Sequence, residues 1–166
     1  MPESDYGGGS LIQALILKTD GSLPFTKEIP SQEATLAVIK ETVASPHGDW
    51  FDCVRGENFH AYVNDTGDRD GLPLNPIASS MLGEYVCGDV IIFGSLTPDG
   101  EWDGEEHDVP RPIIECAEQQ WLTGRIIDAR KARLAREVDR YRITNTLTEA
   151  EIKILTCQVR ASRVSV

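Results

Sequence analysis

Between residues 64 and 89 the chain gathers amides and carboxylates at spacings that chemistry could use: Asn64, Asp65, Asp68, Asp70, Asn75 and Asp89. Such groups can hold a small polar ligand or meet a cationic partner. Where two carboxylates sit in unlike environments they can also act as general acid and base. A small hydrolase or nucleotide-handling enzyme would draw on Asp65, Asp70, Asn75 and Asp89, with Asp68 or Glu84 completing a carboxylate pair. A ligand-holding protein would use the same set without a reaction.

Other chemistries find less support. A calcium loop with Gly71 as its glycine would need a ligand at Thr66 and a bidentate glutamate at Ile77, and one begun at Asp99 meets Pro110 where its closing glutamate belongs. Solvated acidic loops are therefore expected, with no metal and no cofactor. His47, His60 and His107 stand apart from one another and from every cysteine, so none has metal-ligand spacing. His60, on an alternating run, reads as a packed or half-exposed residue before a catalytic base. Neither a Gly-x-Ser-x-Gly elbow, a Walker loop nor a dinucleotide fingerprint occurs. Cys53, Cys87, Cys116 and Cys157 form no Cys-x-x-Cys pair and are expected as reduced, mostly buried thiols.

The elements that must position the polar set can be read in order. Residues 1–10, with Gly7-Gly8-Gly9, have the composition of a flexible lead-in. Leu11 to Leu17 and Phe25 to Ile29 read as a hairpin about the turn Thr19-Asp20-Gly21-Ser22. Ser31 can cap a helix whose apolar positions Leu36, Ile39 and Val43 share a face, ending near Ser45-Pro46. A second hairpin follows from Trp50 to Arg55 and Phe59 to Val63, around Gly56-Glu57-Asn58. Asn75 before Pro76 is a helix-start pair: the amide accepts a free N–H, and proline has none to leave unsatisfied. That capping role is favoured over a ligand contact, although a helix N-terminus can also receive an anion. The short helix should carry Ile77, Ala78, Met81 and Leu82, and Val86 to Phe93 should form a central strand entered through Gly88-Asp89.

From Ile113 onward the pattern is helical. Ile114, Ala117 and Trp121, then Ile127, Leu134, Val138 and Tyr141, are expected on one apolar stripe, with Gly124 as a break. At about 100° per residue, Arg125, Arg133, Arg136 and Arg140 fall opposite that stripe. This basic face reads first as a solvated surface laced by Glu137 and Asp139; docking on an acidic surface or on phosphates is the alternative. Thr148 with Glu151 matches a capping box for a last helix bearing Ile152, Leu155 and Val159.

The ordered set Asn64-Asp65, then Gly71-Leu72-Pro73-Leu74-Asn75-Pro76-Ile77-Ala78, then Gly88-Asp89-Val90-Ile91-Ile92-Phe93-Gly94 and Asp99-Gly100, resembles the family described as domain of unknown function 3846. The resemblance spans about residues 11 to 108. Asp65 stands where the family pattern has glutamate, and Thr66 to Asp70 takes the place of a more compact Gly-Lys turn. What the resemblance implies is the company of actinobacterial and other bacterial genomes, phages and plasmids; it supplies no catalytic residue.

Charge completes the reading. The net value of -11 conceals six basic against 22 acidic residues over 1–120, and ten basic against five acidic over 121–166. Opposite signs thus occupy separate parts of the chain, the pattern of contact surfaces. The start lacks a basic region followed by an apolar one, and Leu11 to Leu17 is too short to cross a bilayer, so a cytoplasmic protein with no membrane partner is expected. The expected fold is α+β: a small, mainly antiparallel sheet with two short helices over residues 11–110, followed by a helical extension over 113–166. The expected function is non-catalytic binding for a phage or mobile element, through an acidic surface on a host protein, through self-association, or by holding a small ligand. The carboxylate enzyme is the first alternative. Nucleic-acid binding through the basic C-terminal helix is the second.

Overall fold

The computed structural model describes residues 10–145 together with 151, 153, 154, 156 and 157. It divides into two compact units, Met1–Glu118 and Gln119–Val166. The first holds a five-stranded sheet with strands β1 (Ile12–Leu17), β2 (Phe25–Ile29), β3 (Phe51–Gly56), β4 (Phe59–Asn64) and β5 (Val90–Gly94). Their order is β2-β1-β5-β4-β3, and every neighbouring pair is antiparallel. Helices α1 (Gln32–Val43) and α2 (Pro76–Leu82) join it, and α3 runs from Arg111 to Asn145. The architecture is the expected α+β one, with a long C-terminal helix.

Strand periodicity builds two cores. Leu15, Leu17, Phe59, Ala61, Val63, Val90 and Ile92 point to one face, where Ala78, Met81 and Leu82 of α2 and Ile113, Ile114 and Ala117 at the start of α3 pack on them. Ile12, Ala14, Ile16, Tyr62, Ile91 and Phe93 point to the other, beneath Ile39 and Val43 of α1. Because both faces are covered, β1 and β5 read as continuous apolar runs rather than alternating ones.

Local chemistry sets the boundaries. Ser31 caps α1 by accepting the Ala34 N–H at 3.3 Å. The face that α1 buries differs from the expected one. Thr35, Ile39 and Val43 turn inward, while Leu36 is 52% exposed. The i, i+4, i+8 row meets the sheet, and Thr35 fits there because its hydroxyl donates back to Gln32 O at 2.6 Å. β5 begins later than expected, at Val90, because Gly88 adopts φ +94° and turns the chain. Val86 and Cys87 are diverted to the start of α2: Val86 O accepts from Asn75 N–H, and Cys87 bridges Leu74.

α3 passes through Gly124 without a break, since no neighbouring atom lies near that position and a single glycine costs a helix only about 1 kcal/mol. Of the cysteines only Cys87 is buried; Cys53, Cys116 and Cys157 are exposed, so the buried-thiol expectation holds for one of four. In the second unit Glu151, Lys153, Ile154, Thr156 and Cys157 are helical. The Gly-rich lead-in through Gly9, the Thr148 cap and the apolar positions Ile152, Leu155 and Val159 lie outside the described residues.

Candidate functional site: an acidic depression and a buried clamp

The six polar residues singled out from sequence separate into two groups. Asn64 ends β4 and is buried, its amide donating to Val43 O at 2.7 Å and accepting from Thr66 N–H at 2.9 Å. Asp70 accepts from Thr66 Oγ1 at 2.7 Å and Ser45 Oγ at 2.9 Å, and these hydrogen bonds hold its carboxyl below the usual 3.8. Asn75, wholly buried, accepts from Ala78 N–H at 3.1 Å and donates to both Leu17 O and Gly88 O at 3.0 Å. One amide therefore caps α2 and ties it to the ends of β1 and β5. Asp89 accepts from Thr19 N–H at 2.9 Å. These four side chains brace loops.

Asp65 and Asp68 behave differently, although Asn64 also forms part of the wall they share. Both are exposed, and they line an open depression of about 270 Å3 between β3, the end of β4 and the end of α2. Asp52 and Glu84 line it too, giving four carboxylates and no lysine, arginine or histidine on its wall. Gly67 forms part of the wall because Cys87 O passes where a side chain would begin, 2.6 Å from the ideal Cβ. Tyr85, 73% exposed, stands beside it. Hydrogen bonding with Cys87, then the charges of Cys87 and Asp68, raise its phenol above the ordinary 10.0. Four like charges on one concavity repel one another and attract cations. Of the hydrolase set Asp65, Asp70, Asn75 and Asp89, only Asp65 reaches this depression.

A second depression, of about 480 Å3, adjoins the first on the same side of the sheet. Phe59, Met81, Leu82, Pro110, Pro112 and Ile113 form its apolar lining, with Arg55, Gly56, Glu57 and Asn58 from the β3–β4 turn. Gly56 is required there, since the Phe59 ring lies 2.1 Å from where its Cβ would be.

On the opposite, α1-side face lies a polar network that sequence reasoning missed. His60 Nε2 meets Glu106 Oε2 at 2.6 Å, Tyr62 OH donates to Glu106 Oε1, and His60 Nδ1 meets Ser95 Oγ at 2.7 Å. His60, Tyr62 and Glu106 are all buried. Burial first, then the hydrogen bond to Glu106, pushes the Tyr62 phenol far above its ordinary 10.0. Gln32, first residue of α1, accepts from Glu106 N–H at 2.8 Å and donates to Glu106 O at 2.6 Å. Gly94 lets this segment lie against β5: its N–H donates to His107 O at 3.0 Å, and a Cβ there would sit 2.1 Å from Asp108 O.

With His60 Nε2–H donating to the Glu106 carboxylate, Nδ1 is left to accept from the Ser95 hydroxyl. This is the connectivity of a nucleophile relay. Ser95, however, lines neither depression, and the carboxylate is buried together with Tyr62. What the network does is clamp the segment around Glu106 to the sheet and to α1. A sequence signal existed in part, for His60 and Tyr62 are i, i+2 on one strand face. Glu106 could not be told from Glu105 or Asp108 in the same acidic run.

Among the described residues no three of His, Cys, Asp or Glu gather to hold a metal ion. No helix among them is long and apolar enough to cross a membrane. Arg125, Arg133, Arg136 and Arg140 are exposed along α3 in the second unit. Arg133 pairs with Glu137 at 3.3 Å, and the Arg125 guanidinium lies 5.4 Å from the Trp121 ring centroid. Trp121 therefore sits on the basic side, not opposite it, because i and i+4 are neighbours on a helix.

The first unit is thus an antiparallel α+β domain with a clamp on one face and an acidic hollow on the other. The chain belongs to the family described as Domain of unknown function (DUF3846), whose model matches residues 12–111. No curated protein matches it. Among solved structures, the crystal structure of small RNA methyltransferase HEN1 is similar at 17% identity with a TM-score of 0.44, over 66% of this chain and 16% of that one.

Proposed function

We propose that this chain is a non-catalytic binding protein of a phage or other mobile element, and that its acidic hollow receives cationic side chains of a host protein. The observation that carries the reading is the set Asp52, Asp65, Asp68 and Glu84 lining one concavity with no cation on its wall. A body with six basic and 22 acidic residues over 1–120 adds a field of the same sign around it. Basic patches that normally contact nucleic-acid phosphates present the same guanidinium and ammonium groups. A protein of this charge competes for them.

The test is titration of an Arg-rich peptide, followed by fluorescence anisotropy at several salt concentrations. Binding should appear at low salt and fade as the Debye length shrinks below about 10 Å. The triple variant Asp65→Lys, Asp68→Lys, Glu84→Lys should bind about tenfold more weakly, since exposed pairs contribute roughly 0.2–1 kcal/mol each. Equal binding by this variant, or no binding by the native protein at low salt, overturns the reading.

A further inference from the structure

The apolar depression plays no part in cation binding, yet it is lined by residues that follow or precede those of the acidic hollow along β3 and at the end of α2. Asp52 and Val54 of β3 line the acidic hollow, and the next residues, Arg55 and Gly56, line the apolar one. At the end of α2, Leu82 lines the apolar depression and Glu84 the acidic one, with the helix-terminating Gly83 (φ +69°) between them. From Asp52 to Arg55 a strand advances about 10 Å. A single short peptide can therefore occupy both.

We infer that the apolar depression is an anchor pocket for the same partner: it takes one aliphatic or aromatic side chain carried about 10 Å, or roughly three extended residues, from the cation seated in the acidic hollow. The inference rests on the proposed cation binding and adds the identity of the recognised segment, a basic stretch with one large apolar residue. Charge chooses the partner. The four carboxylates favour a cationic chain, and the rim of the apolar depression, with one arginine and one glutamate, adds little charge of either sign. The size suits such an anchor, because about 480 Å3 lies within the range of cavities that hold small organic groups. Buried apolar anchors surrounded by a polar rim carry most of the affinity in many interfaces, whereas rim charges mainly steer encounter.

The experiment compares two synthetic peptides, one of arginine and glycine only and one with a leucine placed three residues from an arginine. On the native protein the leucine should tighten binding about tenfold, and that gain should persist as salt rises while the remainder fades. Two variants address the pocket: Leu82→Asp, and Pro112→Glu at an exposed position in the first turn of α3. Circular dichroism checks the fold of each. Both should lose the leucine gain, while the carboxylate each adds leaves binding of the arginine-glycine peptide at least as tight as on the native protein.

A leucine that adds nothing on the native protein overturns the anchor pocket while leaving cation binding intact. So does a gain that survives in both pocket variants. Failure of both peptides to bind at low salt overturns the cation reading, and the anchor with it. Self-association of the native protein that Leu82→Asp abolishes would assign the depression to a second copy of the chain and overturn the inference.

Discussion

Truncating Glu106 to alanine tests the clamp most directly. The carboxylate is 5% exposed and accepts from two buried donors, Tyr62 OH and His60 Nε2–H. Among the described residues every buried side-chain nitrogen or oxygen has a partner, so the native protein begins fully satisfied. Glu106→Ala leaves both donors without an acceptor, at about 1–3 kcal/mol each, or roughly 4 kcal/mol together. For a unit of this size that lowers Tm by about 15 °C. Glu106→Gln separates hydrogen bonding from charge. Its Oε1 can still accept from Tyr62, its amide can donate to His60 Nε2, and the ring can then place its proton on Nδ1 and donate to Ser95 Oγ. All groups stay paired, so the glutamine variant should lose about 1 kcal/mol or less. Urea unfolding followed by far-ultraviolet circular dichroism gives both values, with an unchanged denaturant slope certifying that the same surface unfolds. The reasoning is refuted if Ala costs under about 1 kcal/mol, or if Gln is as damaging as Ala.

Two further outcomes follow from the same geometry. Tyr62 has a folded pKa raised above 10.0, so the unfolded chain releases the phenolic proton first; the phenol's contribution to stability should be constant below pH 10.0 and decline as pH rises beyond it. Phenolate absorbance should then show one tyrosine titrating only as the protein unfolds, and Tyr62→Phe should flatten the decline; a Tyr62 that titrates normally in the folded protein contradicts the burial argument. Asn75→Asp distinguishes a simple cap from a brace: aspartate caps as well as asparagine, but it cannot donate to Leu17 O and Gly88 O. Loss of about 2–4 kcal/mol by thermal or urea unfolding supports the brace, and a change within about 0.5 kcal/mol removes it.

The legible parts of the fold are those governed by neighbours along the chain. The β1–β2 and β3–β4 hairpins, the Ser31 and Asn75 caps, and the placing of β5 at the centre of the sheet all follow from turn residues, capping chemistry and apolar runs. The buried face of α1 needed the third dimension, whereas the course of α3 follows from helix propensity and spacing. Leu36 and Thr35 exchanged roles because the orientation of α1 on the sheet chooses which of two adjacent helical rows is buried. Gly124 did not end α3, because one glycine in 35 residues is outweighed by continued backbone hydrogen bonding. Trp121 lies on the basic side beside Arg125 because residues four apart on a helix are offset by only about 40°.

The candidate site shows the same division. Sequence alone determined that carboxylates and amides would crowd residues 64 to 89, that acidic and basic residues would occupy separate stretches, and that a helix would begin at Asn75, since composition and one-turn spacing carry that information. Only tertiary structure decided which of those groups are free to act. It committed Asn64, Asp70, Asn75 and Asp89 to bracing loops, and it left Asp65 and Asp68 facing a hollow with Asp52 and Glu84. It also paired Glu106 with His60, 46 residues away. A hydrogen bond of that sequence separation depends on strand register and on how a loop crosses the sheet, and neither is written in the spacing of the residues that form it.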